Sequence, residues 1–268
     1  MSPLRYLMCP PAHFGVLYEI NPWMHRDVKV DPELAMLQWE GLFATMRAAG
    51  ASIELIEPAA AVPDLVFTAN AGIVIADLFV PSHFRHVERQ AETPIFTRWF
   101  AERGHDVRVL PDDMRHEGAG DALPFGGVLL SGHGSRSDTT AADMLSALLA
   151  VPVQPIALVE PRLYHLDLTF CPLDDRHALC APLGWNSDGL RAIEELVAEP
   201  LWLTDEEALA FCANSVVVGS TIVMPSAPVR VARQLEAWGY EVVECSVGEF
   251  LKAGGGCRCL TLALDVDL

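Results

Sequence analysis

Short apolar runs recur in pairs along the chain, and a short turn divides the two members of each pair. The divided pairs span residues 71–81, 170–180 and 215–225, and a similar run opens at 126–132. The dividing residues include Asp, Gly and Ser, which favour tight turns. Paired apolar runs around such turns predict a series of β-hairpins.

Each predicted hairpin is followed by a stretch with the apolar spacing of a helix, and then by a short strand-like run. The predicted helices span residues 85–103, 139–149, 187–197 and 228–238. The predicted strands after them span residues 107–110, 153–159, 201–203 and 241–245. Ser187 and Asp188 are candidates to cap the third helix, and Gly104 and Gly239 stand where helices commonly end.

A fifth unit of the same kind is divided between the two ends of the chain. It comprises predicted strands at 4–8, 53–56 and 259–266 and a predicted helix at 33–49. The units begin near positions 64, 121, 167, 212 and 259, which is a period of roughly fifty residues. A repeat whose last unit is completed by the N-terminus predicts a closed ring. No linker or low-complexity segment interrupts it, so we interpret residues 1–268 as a single domain.

Composition is typical of a globular protein. Hydrophobic residues make up 51% of the 268 residues, yet no apolar run has the length of a membrane span. Residues 1–6 lack the features of a signal peptide, so we expect a cytoplasmic location. The seven cysteines are expected to be free thiols there. Cys257 and Cys259 have no second Cys or His pair at zinc spacing, so no metal site is expected.

The chain is strongly acidic, with 36 Asp and Glu, 18 Lys and Arg and a net charge of −18. This charge would repel a nucleic-acid backbone, and no basic stripe offsets it. An acidic surface is compatible with a small cationic substrate, although solubility alone explains it as well. We therefore expect a small-molecule partner and no nucleic acid or membrane. The sequence does not fix the oligomeric state, and a homo-oligomer is compatible with it.

A glycine-rich segment near the C-terminus carries a candidate nucleophile. Three glycines at 254–256 precede Cys257 and Cys259, and glycines let a backbone approach a ligand closely. A thiolate suits attack on a poorly electrophilic guanidinium carbon, and a bound cation would itself lower the thiol pKa. Both cysteines are predicted on one face of a strand, so Cys257 competes for this role. A cysteine in a small core position is the simpler alternative.

His165 and Asp167 form a His-x-Asp motif. His165 is a candidate to protonate a departing amine and then to activate water. Asp167 is predicted on the same strand face and is a candidate to bind guanidinium N–H groups. The other histidines are expected to be structural, including His116, His133 and His177.

Further polar residues stand near the starts of units. Glu117 is a candidate to hold a guanidinium, with Asp121 following in Glu-Gly-Ala-Gly-Asp, and an ordinary acidic loop is the alternative. Arg136 is a candidate to bind a substrate α-carboxylate, or else a surface arginine at a helix start. Asn70 would face the guanidinium as a neutral amide. These side chains converge if the unit starts meet at the centre of the ring, and polar loops are the simpler explanation.

Taken together, these motifs resemble the guanidine-modifying superfamily of amidinotransferases, arginine deiminases, dimethylarginine dimethylaminohydrolases and arginine dihydrolases. Residues 259–262 (Cys-Leu-Thr-Leu) resemble its nucleophile motif, which favours Cys259 over Cys257. Residues 165–167 resemble its His-x-Asp, and residues 64–68 (Asp-Leu-Val-Phe-Thr) resemble its first substrate loop. The resemblance covers most of the chain and implies an α/β fold, the five-bladed pseudo-symmetric α/β propeller known as the pentein fold.

The chain departs from the superfamily pattern at two places. The usual Glu/Asp-Gly-Gly-Asp is one residue longer here, which leaves the division of roles between Glu117 and Asp121 open. Deiminases and dimethylaminohydrolases carry an acidic residue where Asn70 stands. The stretches at residues 18–24, 67–70 and 117–121 look most similar to arginine dihydrolases. An amide that flips can accept from a guanidinium or donate to a urea, so this site is expected to tolerate citrulline. Asp167 disfavours dimethylarginine, because a methylated nitrogen has no N–H to donate.

The resemblance implies a cofactor-independent hydrolase in which Cys259 attacks the guanidinium carbon and His165 transfers protons. The expected products from arginine are citrulline and, after a second round, ornithine with ammonia and carbon dioxide. The residues expected to bind the guanidinium and then the amino-acid end are Glu117, Asp167 and Asn70, followed by Arg136 and Asn21. Asp121 is a further candidate for binding the substrate. The alternatives are a dimethylarginine dimethylaminohydrolase, an arginine deiminase, an amidinotransferase and, outside enzymes, a ribosome-binding pentein protein. The loop around residues 17–23 is a candidate lid.

Overall fold

The computed structural model describes residues 4–267, so residues 1–3 of the N-terminal segment discussed above, and residue 268, lie outside it. Within this range the chain forms five β-sheets of three strands each. In every sheet one neighbouring pair of strands is antiparallel and the other pair is parallel. The predicted α/β fold of five similar units is therefore confirmed.

The strands are short and follow the chain in regular groups of three. In chain order they are β1 (Arg5–Met8), β2 (Ser52–Leu55), β3 (Gly72–Ile75), β4 (Leu78–Pro81), β5 (Asp106–Val107), β6 (Ala122–Phe125), β7 (Val128–His133), β8 (Val153–Ala157), β9 (Phe170–Pro172), β10 (His177–Cys180), β11 (Glu199–Trp202), β12 (Val216–Val218), β13 (Thr221–Met224), β14 (Glu241–Glu244) and β15 (Leu262–Ala263). The sheets are β15-β1-β2, β3-β4-β5, β6-β7-β8, β9-β10-β11 and β12-β13-β14.

Helices make the crossovers that parallel strands require. In chain order they are α1 (Pro32–Ala48), α2 (Val87–Gln90), α3 (Thr93–Ala101), α4 (Ala141–Leu149), α5 (Ser187–Leu196), α6 (Asp205–Leu209), α7 (Val229–Ala237) and α8 (Gly248–Leu251). The helices α1, α3, α4, α5 and α7 each connect the two parallel strands of one sheet. Within residues 4–267, none of the helices combines the length and the apolar character needed to cross a bilayer.

The first crossover helix shows how the sequence specifies this packing. The side chain of Asp31 caps α1 by accepting from the backbone N–H groups of Glu33 and Leu34, and Pro32 suits the first turn. One stripe of α1 is buried and comprises Ala35, Trp39, Leu42 and Met46. Burying each of the larger side chains stabilises the fold by roughly 1.5–3 kcal/mol.

The core lies between each sheet and its crossover helix. In the first unit, the ring of Phe79 on β4 stacks on Phe100 of α3 with centroids 3.7 Å apart. In the third unit, Ile193 of α5 is fully buried in a cluster with Ala178 and Cys180 of β10. Because the apolar side chains pack between sheet and helix, the turns at the strand ends can carry polar residues.

Two helix predictions needed correction. The helix predicted at 85–103 is divided into α2 and α3, because Pro94 in the first turn of α3 has no N–H and disfavours helical backbone before it. The cap of α5 is Asn186, whose side chain accepts from the backbone N–H of Gly189, rather than Ser187 or Asp188. Gly104 does adopt a left-handed φ of 85° just after its helix, as its predicted position requires.

The ring is closed by the two ends of the chain. Strand β1 pairs with β15 through Tyr6 and Ala263, and with β2 through Arg5 and Ser52. The carboxylate of Asp265 also accepts hydrogen bonds from the backbone N–H groups of Leu4 and Arg5. The divided fifth unit is thus confirmed. The strand predicted at 259–266 is wrong in extent, because only Leu262 and Ala263 pair as a strand and residues 257–260 form a turn.

A tight turn precedes the first strand of every unit. Three of these are short 3₁₀ helices, at Thr68–Ala71 before β3, Gly118–Gly120 before β6 and Leu166–Leu168 before β9. The other two are turns at residues 210–214 before β12 and 257–260 before β15. We call these five segments the unit-start turns, and they carry the residues of the candidate site.

Candidate active site

Side chains on or beside the five unit-start turns meet in one buried cluster. Each member is at most 3% exposed, and the members are Asn70, Glu117, His165, Asp167, Asn214 and Cys259. Each of them hydrogen-bonds a residue of another turn. The structure therefore brings together five residues that the sequence singled out, and it adds Asn214.

The nucleophile turn separates the two competing cysteines. Cys257 is fully buried in the hydrophobic core, whereas Cys259 lines a small cavity at the cluster. The two residues lie in a turn, so the predicted shared strand face is wrong. A Cβ on Gly255 would come within 2.4 Å of the Phe67 ring, which explains the need for glycine there. All seven cysteines are free and buried, as predicted for thiols.

Cys259 lies between a carboxyl group and an amide. Its Sγ donates to Asp167 Oδ2 at 3.6 Å and accepts from Asn214 Nδ2 at 3.2 Å. Burial, with the nearby charge of Asp167, raises the pKa of the thiol well above its usual range. Burial also raises the pKa of Asp167 to about 7, against an opposing effect of Arg258. Without a bound cation, the resting site therefore holds a protonated thiol.

His165 is paired with Glu117 on the other side of the cluster. The Nε2 atom of His165 lies 2.8 Å from Glu117 Oε2, and the same oxygen accepts from Arg136 Nη1 at 2.9 Å. Burial alone would raise the pKa of Glu117, but Arg136 and His165 hold it well below its usual range. Glu117 is therefore ionised and can only accept, so Nε2 of His165 carries the proton.

Glu117 and Asp121 have different hydrogen-bond partners. The second oxygen of Glu117 accepts from the backbone N–H of Arg85 at 3.2 Å. Asp121 Oδ2 accepts from Ser137 Oγ at 2.6 Å, and Oδ1 accepts from the backbone N–H of Leu166 at 3.0 Å. Asp121 thus anchors the turn behind His165, and both of its oxygens are occupied. Asp121 does not line the cavity beside Cys259, and a role for it in substrate binding stays a prediction.

Arg136 is buried, so the alternative of a surface arginine at a helix start is wrong. It is 2% exposed, donates from Nη2 to the backbone carbonyl of Ile20 at 3.0 Å, and lies over the ring of Tyr164. It also lines the cavity next to Cys259. Arg136 therefore connects Glu117 to the loop of residues 17–24.

The amide of Asn70 has one fixed orientation. Its Oδ1 accepts from Arg89 Nη1 at 2.9 Å, and its Nδ2 donates to the backbone carbonyl of Glu117 at 3.3 Å. Rotation of the amide by half a turn would place two donors together and two acceptors together. The predicted flipping of Asn70 is therefore wrong. The orientation of Arg89 is in turn fixed by two 2.8 Å bonds to the buried carboxylate of Glu92.

The loop of residues 17–24 covers the cavity. Asn21 Nδ2 donates to the carbonyl of Ala253 at 3.0 Å, and Asn21 Oδ1 accepts from the backbone N–H of Trp23. Trp23 Nε1 donates to the carbonyl of Arg162 at 2.8 Å. The cavity beneath has a volume of only about 10 Å³, close to that needed by a single water. In this closed form Asn21 holds the loop, and an amino acid has no room beneath it.

Two buried carboxylate oxygens, Asp64 Oδ1 and Asp167 Oδ1, have no partner in good hydrogen-bonding geometry within residues 4–267, and the hydroxyl of Tyr18 beside Asp64 has none either. Asp64 lines the cavity and lies in the 64–68 segment discussed above. Unsatisfied buried acceptors are costly unless a ligand supplies donors. The site therefore suits a cationic ligand that is rich in N–H groups. Among the described residues, no group of three His, Cys, Asp or Glu side chains is arranged to hold a metal ion.

The prediction from sequence missed two residues of the site. Arg89 occurs in a predicted helix with Glu92 three residues later, a pattern typical of ordinary helical ion pairs. Asn214 had a usable signal, because Phe-x-Ala-Asn occurs before β3 at 67–70 and again before β12 at 211–214. The repeat of this motif at two unit starts marks Asn214 as the counterpart of Asn70.

No family model matches the chain. It is 41% identical over 266 residues to the bifunctional arginine dihydrolase/ornithine cyclodeaminase AgrE of Nostoc sp., across 97% of this chain but only 38% of AgrE. It is 38% identical over 262 residues to an N(G),N(G)-dimethylarginine dimethylaminohydrolase of Mycobacterium tuberculosis, across 97% of this chain and 85% of that protein. The chain thus spans about two fifths of AgrE and most of the second relative.

The fold matches a solved domain closely. The N-terminal domain of ArgZ, in an asparagine-to-serine variant covalently bound to a reaction intermediate, superposes with a TM-score of 0.94. The two chains are 38% identical, and the match covers 98% of each.

Proposed function

The chain belongs to the guanidine-modifying enzyme superfamily, and from this premise we propose that it is a cysteine-dependent hydrolase of the arginine guanidino group. The observation that carries the proposal is the buried thiol of Cys259 beside Asp167, with His165 and Glu117 completing the cluster. Unpartnered carboxylate oxygens of Asp64 and Asp167 in the same cluster favour a guanidinium ligand. The substrate proposed is free arginine.

Binding of the cation prepares the nucleophile. Guanidinium N–H groups occupy the free oxygens of Asp64 and Asp167, and the positive charge beside Sγ favours transfer of the thiol proton to His165, which becomes the acid of the next step. A thiol whose pKa is otherwise raised by burial then becomes a thiolate only when substrate is present. This order protects the cysteine from side reactions in the empty site.

The first round proceeds by covalent catalysis. The sulfur of Cys259 forms a bond to the guanidinium carbon, and the bond from that carbon to a terminal nitrogen breaks as His165 protonates the departing ammonia. Water deprotonated by His165 then adds to the thiouronium carbon, and the carbon–sulfur bond breaks to release citrulline. Glu117 stabilises the imidazolium that His165 forms before the first transfer and again after the second, through its 2.8 Å contact.

A second round on citrulline completes the proposed dihydrolase reaction. Overall, arginine and two waters yield ornithine, carbon dioxide and two ammonia. The ureido group of citrulline presents a carbonyl oxygen, which a carboxylate would repel and an N–H donor would bind. Asn70 lines the cavity, and its Nδ2 carries a second proton beyond the one given to Glu117. A fixed amide therefore supports the second round without the flip expected from sequence.

The decisive assay is incubation of the purified protein with arginine, citrulline and asymmetric dimethylarginine, with products resolved by mass spectrometry. We expect ornithine and two ammonia per arginine, and turnover of added citrulline. Cys259→Ser should abolish product, whereas Cys257→Ala should retain it, because Cys257 is a core residue. Normal turnover by Cys259→Ser would refute the covalent scheme.

A dimethylarginine dimethylaminohydrolase is the second candidate, and the Mycobacterium tuberculosis relative favours it. That reaction releases dimethylamine and stops at citrulline. Release of dimethylamine without turnover of arginine would establish it and would leave the roles of Cys259 and His165 unchanged.

A further inference from the structure

All four hydrogen-bonding positions of the Asn214 side chain are used around the nucleophile turn. Its Oδ1 accepts from the backbone N–H groups of Gly256 at 3.0 Å and Cys259 at 3.3 Å. Its Nδ2 donates to the backbone carbonyl of Asp167 at 3.1 Å and to Cys259 Sγ at 3.2 Å. The amide is fully buried, so each of these bonds is made away from water.

These contacts determine which end of the amide faces the sulfur. Two backbone donors require the oxygen on one side, and a backbone carbonyl requires the nitrogen on the other. The backbone carbonyl of Asn214 also accepts from the N–H of Arg258 at 3.1 Å, which holds the turn from a second direction. A Cβ on Gly256 would lie 2.8 Å from Asn214 Oδ1, so only glycine permits this approach.

We propose that Asn214 is a catalytic residue that donates an N–H hydrogen bond to the Cys259 thiolate and stabilises it during attack. The proposal rests on the function proposed above, because it assumes that Cys259 is the nucleophile. Asn214 and Asp167 contact the same sulfur with opposite consequences. The amide donor favours the thiolate, whereas the carboxylate accepts from the thiol and favours its protonated form.

The internal repeat supports the proposal independently of these contacts. The two Phe-x-Ala-Asn motifs each place an asparagine on a unit-start turn. Asn70 lines the cavity that would take the substrate, and Asn214 contacts the nucleophile. Equivalent positions in two units thus supply one amide to each reaction partner.

The test measures the thiolate directly rather than turnover. Cys259 would be alkylated with 2-chloroacetamidine, whose amidinium resembles a guanidinium, and with neutral iodoacetamide, from pH 6 to 10. Peptide mass spectrometry would follow modification at Cys259 and distinguish it from the other six cysteines. The variants are Asn214→Ala and the isosteric Asn214→Asp. Asn186→Asp is the matched control, because Asn186 caps α5 and aspartate caps helices equally well.

Loss of a hydrogen bond to a charged group predicts a roughly 10- to 100-fold slower alkylation by 2-chloroacetamidine in Asn214→Ala. The pH of half-maximal rate should rise by about 1–2 units in Asn214→Ala and further in Asn214→Asp, where a carboxylate faces the sulfur. kcat for arginine should fall more than KM changes. Asn186→Asp should match the wild-type protein in each measurement.

An unchanged rate and pH profile in a folded Asn214→Ala protein would overturn the proposal, as would a slower rate with no shift in pH. If Asn214→Ala fails to fold, Asn214→Asp decides, because it retains the volume of the side chain. Alkylation needs no substrate, so a wild-type protein that alkylates normally but leaves arginine intact would refute the proposed function and not the role of Asn214.

Discussion

At the scale of single residues, the informative contrast is between two buried carboxylates that differ in their partners. Glu117 contacts Arg136 and His165, which hold its pKa well below its usual range. Asp167 has one unpartnered oxygen and a thiol on the other, and burial raises its pKa to about 7. Divergent environments of this kind commonly assign different roles to paired acids. These surroundings suit Glu117 to stabilise a protonated His165 and suit Asp167 to bind a cationic substrate.

The raised pKa of Asp167 predicts a trade-off between stability and activity. Between its ordinary value of 3.8 and about 7, the folded protein binds a proton that the unfolded chain releases, so the free energy of unfolding falls as pH rises through this window. Asp167→Asn should therefore raise the free energy of unfolding at pH 8 by roughly 4 kcal/mol at most, with a higher Tm, and it should abolish turnover. Thermal unfolding at pH 4 and pH 8 checks this. An equal effect at both pH values would contradict the linkage.

The same residue predicts the acid limb of the pH profile. A cationic substrate binds the ionised form of Asp167, so kcat/KM for arginine should fall as pH falls below about 7. Steady-state rates between pH 5 and 8 measure this limb. Asp167→Glu offers a variant that keeps the carboxylate, and it should retain a limb with a changed midpoint. A profile that is flat from pH 5 to 8 in the wild-type protein would count against the role of Asp167.

Asn70→Asp should stop the reaction after the first round. The carboxylate would still attract arginine and could pair with Arg89, but it has no N–H for the ureido oxygen of citrulline. We expect citrulline to accumulate, with citrulline turnover reduced at least about 100-fold and arginine consumption affected less. Product ratios by mass spectrometry test this, and equal losses on both substrates would show that Asn70 does not discriminate between them.

What the sequence could supply at this scale was chemistry rather than geometry. Cys259, His165 and Asp167 stand in motifs whose residue types already limit the reaction, so they were accessible. The fixed orientation of the Asn70 amide depends on Arg89, and in the sequence Arg89 and Glu92 look like an ordinary helical ion pair. The occupied oxygens of Asp121 depend on Ser137 and Leu166. Contacts of this kind follow from tertiary packing and have no local signature.

At the scale of elements, the least predictable segments were those governed by turns. Strand periodicity correctly placed most hairpins, because alternating burial is a property of a few neighbouring residues. The segment at 259–266 reads as a strand from its composition, yet residues 257–260 are held as a turn by backbone contacts to Asn214. Tertiary hydrogen bonds override strand propensity where the nucleophile is positioned.

The loop of residues 17–24 must open before substrate binds, because the closed cavity has space for about one water. Trp23 fastens it through a 2.8 Å bond to Arg162 and an edge contact with the ring of Phe211. Trp23→Ala should weaken retention of bound arginine and raise KM about 10-fold. Trp23→Phe removes the donor alone and should have a smaller effect. Steady-state kinetics of both variants test this, and an unchanged KM in Trp23→Ala would exclude the loop as a lid.

At the scale of the whole molecule, periodicity was the strongest signal. A unit of roughly fifty residues that repeats four times and is completed by both ends allowed the ring to be predicted, and pairing of β1 with β15 and β2 confirms it. Convergence of the unit starts then follows from the ring. The cytoplasmic location, the homo-oligomer and the extent of the domain to residue 268 stay predictions, because they concern surroundings and ends that the internal repeat does not encode.

In a closed ring of similar units, the chain can in principle begin and end in any exposed turn. We therefore predict that it tolerates circular permutation. Leu4 and Asp265 are in hydrogen-bond contact, so a short Gly/Ser linker can join the present ends. New ends between Gly126 and Gly127 would lie in an exposed hairpin turn, where both residues have positive φ. This turn follows the C-terminal end of β6, whereas the Gly118–Gly120 turn precedes its N-terminal end. This permutant should fold and retain arginine turnover. A matched permutant opened between Gly255 and Gly256 should lose activity, because it cuts the segment that seats Cys259 against Asn214. Circular dichroism and the product assay compare the two, and equal activity in both would mean that the nucleophile turn needs no continuous chain.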